Sequence, residues 1–169
     1  THSPAHEEDP HFSTDGKKIL YTSTAEDHRD VDYERKLRDI YVLDLAGNHA
    51  LNLTTNGADD WHPNYSPDGK NIVFVSDRSD LRDVPFYQRL GSIFLMQNDG
   101  RFQMRLSDTL ANDGGPCIAP GSTEDKGVIY FDSDRGGKKA IYRMDFKGKQ
   151  VRQITFNSQA DDAGPDISS

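Results

Sequence analysis

The sequence predicts an all-β chain made of tandem four-stranded antiparallel β-propeller blades. Two observations predict it: the chain overlays on itself at a fixed shift, and each copy holds four short apolar runs separated by turn residues. At a shift of 53, Phe12-Ser13-Thr14-Asp15-Gly16-Lys17 falls on Tyr65-Ser66-Pro67-Asp68-Gly69-Lys70, Ile19-Leu20-Tyr21 on Ile72-Val73-Phe74, Ile40-Tyr41-Val42-Leu43 on Ile93-Phe94-Leu95-Met96, and Leu53-Thr54 on Leu106-Ser107, all without a gap. A third copy keeps this order, four residues longer before Ile129 and nine shorter after it, so its period is 48. Three blades follow, at 10–53, 63–106 and 116–154, and then the first strand of a further one at 165–169. Propellers close with about four to eight blades. Three are therefore expected to be part of a larger, six- to eight-bladed ring, completed by the rest of a longer chain or by a second copy of this one.

Each element has its own warrant. The first strand of a blade follows a proline (11–13, 64–66, 117–119), and the second is apolar at successive positions, as for a strand covered on both faces (72–75, 128–131). The third strands are 40–44, 93–97 and 141–145. The fourth alternate with polar residues, at 50–53, 102–106 and 151–154, which suits a half-solvated edge. Pro67-Asp68-Gly69 supplies a fixed φ, a self-bonding Asp and a Gly free to take positive φ, and Gly47, Gly100 and Gly148 fall in register between the third and fourth strands.

Composition excludes several classes of function. The 169 residues carry a formal charge of -8, with no Lys/Arg-rich run to neutralise phosphates, so nucleic acid is not an expected partner. No apolar stretch approaches the roughly 20 residues of a membrane helix, and residues 1–10 have neither the basic nor the apolar part of a signal peptide. Cys117 stands alone, which rules out an intrachain disulfide and a cysteine-based zinc site. There is no Gly-x-Ser-x-Gly elbow and no phosphate-cradling loop, so no catalytic residue and no cofactor is assigned. Calcium is the remaining metal candidate, through oxygen-rich clusters, although no Asp-x-Asp-x-Asp-Gly loop exists.

The second copy carries a family resemblance. Pro63-Asn64-Tyr65-Ser66-Pro67-Asp68-Gly69-Lys70, then Ile72 to Arg78 with its Ser76-Asp77-Arg78 ending, then Ile93-Phe94-Leu95-Met96 with Asp99-Gly100, resembles the WD40-like repeat of TolB-like β-propellers. The first copy departs from it with Ser23-Thr24-Ala25 and the third with Ala119-Pro120-Gly121-Ser122. The resemblance implies a non-catalytic scaffold of the periplasm or cell envelope that holds a protein or peptide partner. Similar repeats occur in the gating propeller of prolyl-oligopeptidase-like serine peptidases, whose hydrolase domain would lie outside this chain, and in carbohydrate-active propeller enzymes.

Candidate contact residues come from the insertions and from breaks in the repeat. Alternating strands put the insertions 24–39 and 77–92 on the face that also carries the segments before each blade-starting proline. The insertions are copies of one another: Arg29-Asp30-Val31 matches Arg82-Asp83-Val84, Tyr33 matches Phe86, and Leu37 matches Leu90. Two readings stand. In one, Val, the aromatic and Leu tuck each loop onto its blade while Arg and Asp pair. In the other, Tyr33, Phe86, Tyr87, Arg35 and Arg89, with Lys36, face a partner, since aromatics and Arg are favoured anchors. An acidic residue precedes each proline by three: Glu7, Asp60, Asp113 and Asp162. These carboxylates either bond within the blades, for instance to Arg78 or Arg135, or line an anionic channel mouth. Trp61 and His62 break the repeat at that mouth and are either a plug or a contact, while His11 and His62 lie on opposite sides of their prolines, out of register.

Overall fold

The computed structural model describes residues 4–47, 49–107, 110–122, 126–157 and 160–166, with the side chains of Glu34 and Phe86 also outside the description. Twelve strands form three four-stranded antiparallel sheets in simple sequence order. The first sheet holds β1 (Glu7–Phe12), β2 (Lys18–Ser23), β3 (Asp39–Asp44) and β4 (His49–Asn52); the second β5 (Asp60–Tyr65), β6 (Asn71–Ser76), β7 (Ser92–Gln97) and β8 (Met104–Arg105); the third β9 (Asp113–Ile118), β10 (Val128–Ser133), β11 (Ala140–Asp145) and β12 (Arg152–Gln153). The helical turns among the described residues are two 3-10 turns, Tyr33–Arg35 and Phe86–Gln88, one in each insertion. Residues 160–166 carry no ladder, and 167–169, the rest of the expected further strand, lie outside the described residues.

The sheets stack because each second strand is apolar on both faces. Ile72 and Phe74 pack with Leu20, Ile40, Val42 and Leu53 of the first sheet. The intervening Val73 and Val75 pack with Ile129, Phe131, Tyr142 and Met144 of the third. These four apolar residues of β6 are fully buried, each stabilising the stack by about 1.5–3 kcal/mol. A turn closes the contact between the second and third sheets: Gly148, at φ 69° between β11 and β12, lies so close to the chain after β8 that a Cβ there would sit 2.0 Å from the Leu106 carbonyl oxygen.

The first strands begin earlier than the prolines suggest. Each runs from the acidic residue through the proline, and its ladder jumps at the proline, between Glu8 and His11, Trp61 and Asn64, and Gly114 and Cys117. Proline has no N–H to give to the ladder, so the pairing opens there as a bulge and resumes one residue later. The residue before the proline is left-handed in every copy: Asp9 at φ 52°, His62 at 49°, Gly115 at 49° and Gly164 at 62°.

Adjacent sheets are also joined by a repeated reciprocal bond. The N–H of Asp60 donates to the Arg38 carbonyl at 2.9 Å, while the Arg38 N–H donates to Asp59 Oδ1 at 2.8 Å. The same exchange links Gly91 with Asp113 and Asn112, at 3.0 and 3.1 Å, and Lys139 with Asp162 and Asp161, at 3.0 and 3.2 Å.

Candidate functional site

The acidic residues before the prolines go mostly to structure. Asp60 is fully buried and receives both oxygens' worth of bonds from Arg78 Nη2, at 3.0 and 2.9 Å, while Asp113 takes Arg135 Nη2 at 2.8 Å. Arg78 lies over Phe74 and Phe94, and Arg135 over Phe131 and Tyr142, with guanidinium-to-ring distances of 4.8–5.4 Å. Each pair lies within its own blade, the second or the third, tying that blade's first strand to the end of its second. Burial pushes the Asp60 carboxyl above the usual carboxylate range against the pull of Arg78. Of the other two, Glu7 is exposed beside Ile19, Tyr21 and Leu43 on the outer face of the first sheet, and Asp162 uses its N–H on Lys139.

The first blade keeps the aromatic pair, Tyr21 with Tyr41, but has Ala25 where the others have arginine. Carboxylates there lack that guanidinium. Asp39 is pushed up to about 6 by burial and by the nearby Asp60 and Glu26 charges, opposed by the bond it accepts from Asn52 Nδ2 at 3.0 Å.

Each insertion is closed by an Asp-x-Arg clasp. Asp27 accepts from the backbone N–H groups of Arg29 and Leu37 and from the Arg29 guanidinium, which also donates to the Arg35 carbonyl. Asp80 does the same with Arg82 and Leu90, and Arg82 donates to the Gln88 carbonyl. Arginine bonding holds both carboxyls well below the usual range. The acids of the clasps are Asp27 and Asp80, two residues before each arginine, so the Asp30 and Asp83 of the matched triplets stand outside them.

These clasps fix a place for the residue before each leucine, and Lys36 and Arg89 occupy it. Both line a cavity of about 420 Å³ together with Tyr33, Trp61 and Tyr87. Arg38 and Asp59 complete its floor, with Arg38 donating to Asp59 at 2.9 and 2.6 Å and lying 5.3 Å from the Trp61 ring centre. Glu8 accepts from the Tyr33 hydroxyl and sits 3.6 Å from Arg38, and His6 stacks on Tyr33 at 4.0 Å. Trp61 fits because Gly91 faces it: a Cβ at Gly91 would meet the indole at 3.0 Å and Val75 at 2.6 Å. One edge of Trp61 packs on the core while the rest lines the cavity, so it is part plug and part wall.

Of the expected contact residues, then, Tyr33, Trp61, Tyr87 and Arg89 converge on one cavity. Arg35 is exposed outside it, and the Phe86 side chain lies outside the described residues. Arg38 belongs to the site although the repeat gave no reason to select it; the signal was its mismatch with Gly91 and Lys139 at one register position. His11 and His62 line a separate cavity of about 230 Å³ with Asn64 and Asp166, brought together by the inner strands despite their different registers. Among the described residues no group of three or more His, Cys, Asp or Glu is placed to hold a metal ion, and no helix is long and apolar enough to cross a membrane.

Comparison with known proteins agrees with this architecture. No family model matches the chain. An uncharacterized protein of Agrobacterium fabrum is 30% identical over 122 residues, covering 72% of this chain and 37% of that protein. TolB from Acinetobacter baumannii superposes with a TM-score of 0.59 at 25% identity over 90% of this chain and 33% of TolB. A puromycin-hydrolyzing peptidase of Mycobacterium tuberculosis superposes with a TM-score of 0.63 at 18% identity, over 92% of this chain and 24% of the peptidase. The chain thus spans well under half the length of each. The three sheets are propeller blades, similar in structure to those of TolB.

Proposed function

We propose that the chain is a non-catalytic binding segment of a larger propeller of the periplasm or cell envelope, which holds a protein or peptide partner through its insertion-bearing face. The observation that carries this reading is the convergence of both insertions and the repeat-breaking Trp61 on one cavity. Tyr, Trp and Arg are the residue types that dominate interface energetics, and here the two clasped insertions and β5 present them. The acidic residues Asp60 and Asp113 hold the blades, so the reading rests on the cavity and not on an anionic channel mouth; no cofactor is invoked. The larger ring is inferred from the blade number and from the share of TolB that the chain spans.

The test is Tyr87→Ala. Tyr87 is 67% exposed, so its removal should leave the melting temperature within about 1 °C while weakening capture of cell-envelope proteins on immobilised chain by tenfold or more. A melting shift with unchanged capture would favour loop packing as the role of the insertions. A second reading, a gating propeller of a serine peptidase, is favoured by the superposition on the peptidase. A Gly-x-Ser-x-Gly elbow with later Asp and His in the parent protein would select it.

A further inference from the structure

We infer that the cavity between the two insertions recognises a carboxylate on its peptide partner, with Arg89 and Lys36 as the donors; this rests on the partner-binding reading of the same cavity. The chain carries a net charge of -8, yet the fold delivers a matched cation from each insertion, Lys36 and Arg89, one residue before Leu37 and Leu90, to the same 420 Å³ space beside Arg38. The cavity's own charges are otherwise occupied. Arg38 is bonded to both oxygens of Asp59, and Glu8 is engaged by Tyr33 and Arg38.

Arg89 is different. Its nearest acid, Asp77, is 3.6 Å away, beyond hydrogen-bond reach, and its buried Nε has no acceptor among the described residues. Asp77, only 2% exposed, spends one oxygen on the Asp59 N–H at 3.0 Å and leaves the other unbonded. The pair is therefore formed loosely, and the two terminal nitrogens of the guanidinium, rather than the buried Nε, are the donors it has to offer. Lys36 Nζ gives one bond, to the Asp27 carbonyl at 2.9 Å, and an ammonium has three donors. Tyr33, Trp61 and Tyr87 line the cavity beside these cations, so a carboxylate seated among the rings would displace water, and a charge-assisted bond strengthens where water is removed.

Trp61 is the single tryptophan, so its emission reports on this cavity directly. The probes are acetylated, amidated pentapeptide pools with Glu, Gln or Lys fixed at the centre, and a Gln pool with a free C-terminal carboxylate. The Glu pool should shift Trp61 emission at concentrations on the order of tenfold to a hundredfold below the amidated Gln pool. Binding by the free-carboxylate Gln pool would identify a chain terminus, rather than a side chain, as the preferred source of the same group. Arg89→Gln should remove the preference, and Arg89→Lys should restore part of it. Equal shifts by the Glu, Gln and Lys pools would overturn the carboxylate inference while leaving the partner cavity standing. No shift with any pool at millimolar concentration would overturn both.

Discussion

Arg78→Ala tests the main structural claim, that a buried acid–arginine pair holds the second blade, and likewise the third, together. The substitution removes two bonds to Asp60, one to Ser76 Oγ at 2.8 Å and one to Gln103 Oε1 at 2.5 Å, together with the contacts over Phe74 and Phe94. Asp60 is left wholly buried with Asn56 and Ser76 as its remaining side-chain partners and no compensating cation bonded to it. Removing one partner of a buried pair costs about 3–5 kcal/mol. The loss depends on pH in a defined direction. Burial already raises the Asp60 pKa, and losing the guanidinium raises it further, so the folded variant keeps its proton to higher pH than the unfolded chain does. Its deficit should therefore be smaller at pH 5 than at pH 7.5. Urea unfolding followed by circular dichroism at both pH values measures this, and Arg78→Ala/Asp60→Asn should recover a large part of the stability at pH 7.5. A deficit below about 1 kcal/mol, or one that neither pH nor Asp60→Asn changes, would refute the reasoning.

Two more outcomes follow from the inner strand and the first blade. His62 holds a left-handed conformation that Gly115 and Gly164 adopt in the other copies, so His62→Gly should raise stability by up to about 1 kcal/mol in thermal melts; a loss would show that the imidazole anchors the bulge. Asp39, pushed up to about 6, binds its proton more tightly in the folded state. Its stabilising effect is complete below the unfolded value near 4 and is lost as pH rises to about 6. The difference in melting temperature between Asp39→Asn and the parent should grow in the variant's favour across that window and stay flat above it.

The repeat, the order of strands and the turn chemistry could be read directly because each depends on local residue types in a fixed register. Phe74 and Val75 show their opposite-facing burial in the bare run of apolar residues. What stayed hidden came from contacts that residue type and spacing do not encode. Proline at position 63 looks like a strand start, but the strand begins at Asp60, because the bulge lets the chain carry a residue without an N–H. The clasp acids, Asp27 and Asp80, are separated from Arg35 and Gln88 by a loop whose closure no spacing rule describes. His11 and His62 differ in register by two, and only the meeting of inner strands from neighbouring blades puts them in one cavity.

The joint between blades uses the main chain of a single residue, the N–H and carbonyl of Arg38, Gly91 or Lys139, and asks nothing of that residue's side chain. A cation, a hydrogen atom and another cation therefore occupy equivalent places, and the glycine makes room for an indole. The joint itself is the same whichever of these residues stands there, while the space beside it differs from junction to junction: at Gly91 the room a Cβ would need is taken by Trp61, Val75 and the Asp113 carbonyl. A propeller joined this way can acquire a new recognition surface at one junction while every other junction stays as it was.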